Sequence, residues 1–94
     1  MTKILIVDDK ENNLLVLHNV LKSLDADILQ AMNGNDALRA SLNHDFALAI
    51  LDVQMPDMDG YELAALLRGE PRTRHVPIIF LSAVYFDDPY IFKG

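Results

Sequence analysis

Three short apolar runs in this sequence each end in a side chain that carries oxygen. Ile4-Leu5-Ile6-Val7 stops at Asp8-Asp9, the run from Phe46 to Leu51 stops at Asp52, and Ile78-Ile79-Phe80-Leu81 stops at Ser82. One such ending is no more than the start of a polar turn, where aspartate is common; three form a pattern. If the runs are neighbouring parallel strands, Asp8, Asp9, Asp52 and the Ser82 hydroxyl meet at the carboxyl edge of one sheet, where open α/β sheets place their ligands. Carboxylates 4 Å apart repel by roughly 4 kcal/mol per pair at an effective dielectric near 20, and each raises the pKa of the other. A divalent cation removes that conflict. Mg²⁺ is the natural candidate, because it takes oxygen ligands, keeps several waters and is commonly held by one or two carboxylates together with a phosphate.

The elements that must position these groups follow from periodicity. Unbroken apolar runs of this length match strands buried on both faces, although pattern alone does not separate them from buried helix segments. Leu14, Leu17, Leu21 and Leu24 recur at helical spacing with Asn13, Asn19, Lys22 and Ser23 largely on other sides, predicting an amphipathic helix of about four turns. Asp9 is a possible N-cap for it. His18 reads as a residue on the helix rim. Asp27 to Ala31 forms a weaker, more polar strand suited to a sheet edge. Asn33-Gly34-Asn35-Asp36 supplies capping chemistry for a helix through about Asn43 that buries Ala37, Leu38 and Leu42.

Pro56 stiffens the loop after Asp52, and Asp57 and Asp59 read as turn and cap residues, not ligands. From Gly60 a helix turns Leu63, Ala64, Leu66 and Leu67 inward until Gly69 and Pro71 stop it. Arg72-Thr73-Arg74-His75 reads as a solvated basic loop, and Pro77 heads the fourth strand at a position that needs no N–H. Asp87-Asp88-Pro89 has the form of a helix cap and first turn. Alternating strands and helices predict an α/β fold with right-handed crossovers and a doubly wound parallel sheet.

Three stretches at these separations resemble the receiver domains of two-component response regulators: Asp8-Asp9, then Leu51-Asp52-Val53-Gln54-Met55-Pro56-Asp57-Met58-Asp59-Gly60, then Pro77-Ile78-Ile79-Phe80-Leu81-Ser82-Ala83. The likeness runs along the whole chain. It implies a CheY-like, flavodoxin-like sheet of order 2-1-3-4. It also implies that Asp52 is the phosphoacceptor, that Asp8, Asp9 and Asp52 hold Mg²⁺ with the Gln54 backbone carbonyl, and that Ser82 receives a phosphoryl oxygen. The partner would be a sensor histidine kinase or a phosphotransfer protein, and the domain would be a signalling switch rather than an enzyme with a separate substrate.

Members of that family continue through a fifth strand ending in Lys-Pro and a fifth helix, for which this sequence has no counterpart. Lys93 comes too soon after Ser82 to end another strand. The expectation is one incomplete receiver over residues 1–94, with Ile78 to Leu81 as an apolar edge that invites homo-oligomers by edge pairing or domain swapping. An alternative is a receiver impaired in phosphorylation that works as a protein–protein interaction module. An aspartate-nucleophile phosphatase would want its nucleophile and acid together on the first strand, and a flavin site would be repelled by Asp8-Asp9-Lys10-Glu11.

Composition sets the outer limits. Ninety-four residues, 51% of them hydrophobic, suffice for one small globular core. With 8 basic and 14 acidic side chains the net charge is -6, which argues against direct nucleic-acid binding. The absence of cysteine excludes disulfides and thiolate metal sites. No apolar run approaches the roughly 18 residues of a membrane span, so a cytoplasmic location is expected.

Overall fold

The structure, a computed structural model, describes residues 2–81. Its elements run β1 (Thr2–Val7), α1 (Glu11–Leu21), β2 (Ala26–Ala31), α2 (Gly34–Asn43), β3 (Leu48–Asp52), α3 (Gly60–Gly69) and β4 (Ile78–Leu81). The four strands are parallel and ordered β2-β1-β3-β4, which is the order that the family resemblance implies. Val7 lies opposite both Ala31 and Leu51. The next residue along β1, Asp8, and the next along β3, Asp52, therefore emerge at the same level.

Alternation along each strand divides the core between the two faces of the sheet. Leu5, Val7, Ala49 and Leu51 pack with Ala37 of α2 and with Leu63, Ala64 and Leu67 of α3. On the opposite face Ile4, Ile6 and Ile50 meet Leu14, Leu17 and Leu21 of α1. Covered on both sides, the buried stretches Ile4–Val7 of β1 and Ala49–Leu51 of β3 carry no polar residue, and each buried Leu or Ile contributes about 1.5–3 kcal/mol. The hydrophobic effect thus holds the strands that deliver the acids.

Several sequence expectations need correction. α1 ends at Leu21, a turn sooner than predicted, and Leu24 lies exposed beyond it. Asp9 does not cap α1: the N-cap is Lys10, with no side-chain hydrogen bond. Leu42 is 70% exposed and Leu66 46%, because at 100° per residue each falls to the side of the stripe that meets the sheet. In α2 the inward position goes to Ser41, whose hydroxyl donates to the Leu38 carbonyl at 2.6 Å. In the basic loop Arg72, Arg74 and His75 are exposed, as expected, and Thr73 is the exception. Thr73 is buried and its hydroxyl donates to the Leu67 carbonyl at 2.5 Å, while Arg72 bonds the Asp45 carboxylate at 2.9 Å and the Leu42 carbonyl at 2.8 Å.

Ser82, the helix expected from Asp87-Asp88-Pro89, and Lys93 lie outside the described residues. Among the described residues β2 and β4 are the sheet edges, and β4 exposes Ile79 and Phe80.

Candidate functional site

β1 and β3 are adjacent, so their carboxyl ends bring Asp8, Asp9 and Asp52 together. One carboxylate oxygen from each lies within 4.8 Å of the others. Asp8 is 3% exposed and Asp52 4%. The Asp8 carboxylate is fixed on both oxygens: the Lys10 backbone N–H donates to Oδ1 at 2.9 Å and the Asn13 side-chain amide to Oδ2 at 3.0 Å. In Asp52, Oδ1 accepts the Gln54 backbone N–H at 3.3 Å. The other Asp52 oxygen, Oδ2, and Asp9 Oδ1 are buried without a hydrogen-bond partner. The Lys10 ammonium stands 3.5 Å from that Asp9 oxygen on a side chain that is more than half exposed, an ion contact too long for a strong hydrogen bond and screened by water.

The electrostatics follow from this crowding. Burial, reinforced by the neighbouring Asp8 charge, pushes the Asp52 carboxyl from 3.8 up to about 6, against the opposing pull of the Gln54 N–H and the Lys10 charge. A buried carboxylate that resists ionisation, with one oxygen of its own and one of Asp9 lacking a donor, is a concentration of negative charge that the chain itself leaves unbalanced. It is well matched to a hard cation. The all-oxygen donor set fits Mg²⁺, which takes carboxylate ligands and fills its remaining positions with water and phosphate.

The loop after Asp52 is closed tightly onto the strand end. The Val53 N–H donates to the Leu81 carbonyl at 2.9 Å and the Gly60 N–H to the Val53 carbonyl at 3.0 Å. A Cβ at Gly60 would collide with the Asp52 backbone carbonyl, so only glycine lets α3 begin this close to β3. Asp59 caps α3 in a reciprocal box with Glu62, its carboxylate accepting the Glu62 N–H at 2.8 Å, and Asp57 takes the turn's left-handed conformation at φ 68°. Both are thus turn and cap residues. Gln54 sits two positions beyond Asp52 with its side chain exposed and its amide on the carboxylate. Sequence reading missed Asn13, which was assigned to the outer side of α1; its spacing of five residues from Asp8, one helical turn past the N-cap, was the available signal.

An α/β domain of this strand order, with carboxylates gathered where β1 and β3 part, defines the CheY-like class of signalling module. Residues 4–93 match the family described as the response regulator receiver domain. The chain is similar to the response regulator PleD of Caulobacter vibrioides, 35% identical over 82 residues that make up 87% of this chain and 18% of PleD; it thus spans less than a fifth of that relative. Among solved structures it is similar to the receiver domain of the sensor histidine kinase PA1611 from Pseudomonas aeruginosa PAO1, which has magnesium coordinated in its active site cleft (TM-score 0.82, 26% identity, 98% of this chain and 77% of that one). It is also similar to a chain in the complex of histidine kinase ThkA with response regulator protein TrrA (TM-score 0.79, 35% identity, 88% of this chain and 70% of that one). The chain belongs to the response regulator receiver domain family, the receiving module of two-component signalling.

Proposed function

We propose that this domain is the phosphoacceptor of a two-component phosphorelay, taking a phosphoryl group from a phosphohistidine of a sensor histidine kinase or phosphotransfer protein onto Asp52. The observation that carries the reading is the Asp52 carboxylate: buried, grouped with Asp8 and Asp9 within 4.8 Å, and holding one oxygen without a partner. Asp8, Asp9, Asp52 and the Gln54 carbonyl would hold Mg²⁺, which when bound supplies the positive charge that offsets the carboxylates and the phosphoryl oxygens. The magnesium in the PA1611 receiver supports that assignment. The ThkA–TrrA complex, in which a histidine kinase and a response regulator are partners, supports the choice of donor.

The residues of the chain divide the work. The Gln54 N–H holds Asp52 Oδ1 and so leaves Oδ2 as the nucleophile. Its lone pair forms the O–P bond in line as the N–P bond of phosphohistidine breaks; the bonding electrons leave with the donor's imidazole, which takes up a proton. Asp8, pinned by Lys10 and Asn13, keeps its charge in place beside the reaction without competing as a nucleophile. The Ser82 hydroxyl donates to a phosphoryl oxygen of the product. The reading carries a cytoplasmic location with it, and the exposed Ile79 and Phe80 on the β4 edge support self-association through that edge or by domain swapping.

Incubation with acetyl phosphate and Mg²⁺ followed by intact-mass measurement tests the reading. One phosphoryl group is expected on the wild type and none on Asp52→Asn. A wild type that gains no phosphoryl group would leave the alternative, an interaction module with an unused acidic pocket.

A further inference from the structure

Gly34 is the first residue of α2, and it is buried. Met58 of the β3–α3 loop lies across it: a Cβ added at Gly34 would overlap the Met58 sulfur and crowd its Cγ at 3.0 Å and its Cβ at 3.2 Å. Two ordinary reasons for glycine do not apply here. The backbone does not have a positive φ at this position, and alanine is the better helix former. What glycine provides is the missing Cβ, and therefore a seat for Met58. The sulfur could swing aside by a change of rotamer. The Met58 Cβ moves only with the loop backbone, and that backbone has little freedom, since the Met58 N–H donates to the Pro56 carbonyl at 2.7 Å, Asp57 is in the left-handed region, and Gly60 is tied to Val53.

We propose that the Gly34–Met58 contact is a positioning device for the acidic pocket. The start of α2 acts as the stop against which the β3–α3 loop rests, and the resting position holds the Gln54 amide on Asp52 Oδ1. Gln54 enters this loop immediately before Met55, which is buried in the core, so the loop is anchored at Met55, at Met58 and at Gly60. Of these anchors Met58 is the one that rests on the first residue of α2, an element that contributes no acid to the site. Gly34 and Met58 lie outside the acidic cluster of Asp8, Asp9 and Asp52; they act through Gln54. The inference rests on the phosphoacceptor reading for its consequence but not for its geometry.

The test compares wild type, Gly34→Ala, Met58→Ala and the double variant Gly34→Ala/Met58→Gly, which removes the Met58 Cβ as well, by the Gln54 amide resonance in metal-free protein, the Mg²⁺ dissociation constant from calorimetry, and the melting temperature. Gly34→Ala is expected to move the Gln54 resonance and weaken Mg²⁺ binding about tenfold, the size seen when supports of a metal ligand are lost. The double variant, with room restored, is expected to return both readouts to within about twofold of wild type. If Gly34→Ala does not fold, Met58→Ala alone carries the test, because it withdraws the support without adding an atom; broadening of the Gln54 resonance is expected. Gly34→Ala or Met58→Ala with an unchanged Gln54 resonance and Mg²⁺ affinity, whatever the melting temperature, would overturn the proposal, as would a double variant that keeps the Gly34→Ala values. A wild type that neither binds Mg²⁺ nor accepts a phosphoryl group would defeat the phosphoacceptor reading, while the metal-free Gln54 resonance would still decide this one.

Discussion

Asp8 and Asp52 leave neighbouring strands at the same level and are both almost completely buried, with carboxylate oxygens no more than 4.8 Å apart. Asp8 has both oxygens satisfied by donors from the chain, and Asp52 has one. Burial first, and then the neighbouring Asp8 charge, push the Asp52 carboxyl up to about 6. The pocket is held against this repulsion by the burial of β1 and β3.

The raised Asp52 value sets a direction for stability against pH. The unfolded carboxyl ionises near 3.8 and the folded one near 6, so between those values the folded state binds more protons and metal-free stability falls as pH rises. The penalty is absent below the unfolded value and complete above the folded one. Two units correspond to roughly 3 kcal/mol, taken as an upper bound. Asp52→Asn should therefore match wild type near pH 4 and exceed it by about 1–3 kcal/mol at pH 7 in urea unfolding; equal stabilities at both values would contradict the assigned cause.

Mg²⁺ should act as a stabilising ligand of the folded state alone. At a hundred times its dissociation constant it adds about 2.7 kcal/mol to wild type, seen as a rise in melting temperature that a chelator reverses. Asp9→Asn removes one oxygen that lacks a partner and should abolish most of that rise; an undiminished rise would place the cation elsewhere.

Asn13 holds the Asp8 carboxylate at 3.0 Å. Replacing it with alanine leaves a buried charged oxygen with one donor fewer, at a cost of about 1–3 kcal/mol, and lets Asp8 drift from the cluster, weakening Mg²⁺ binding. Denaturant midpoints and calorimetry on Asn13→Ala read the two effects separately. Asn13→Asp should be worse on both, because it adds a fourth negative charge.

Thr73 should matter more than its place in a basic loop implies. Its hydroxyl satisfies the Leu67 carbonyl at the end of α3, so Thr73→Val is expected to cost about 1–3 kcal/mol and Thr73→Ser much less. His75→Ala, an exposed neighbour, should stay within about 0.5 kcal/mol. Melting curves of the three variants make the comparison.

Much of the scaffold was legible in the chain because its signals are local. An apolar run that stops at a charge marks a strand end without reference to the rest of the molecule: β1 ends at Val7, where the run Ile4–Val7 predicts, and β3 ends at Asp52, where the run from Phe46 to Leu51 stops. Asn33 and Asp59 cap the helices that their spacing announces, since a side chain reaching the N–H three residues on needs no other partner. Helical spacing also placed Leu14, Leu63 and Leu67 inward.

Only the tertiary structure decided what depends on residues far apart in sequence. Periodicity says which side chains share a face and not how wide a strip the neighbouring sheet covers, so Leu42 and Leu66 were expected inside and lie outside. Thr73 is buried because the chain folds back onto the end of α3, and Asn13 reaches Asp8 because the N-cap of α1 is Lys10 rather than Asp9. The separation of the carboxylates belongs to the same class. Their types and positions in sequence are a property of the chain, but the distance at which they repel, and the oxygens left for a cation, exist only once β1 and β3 lie side by side.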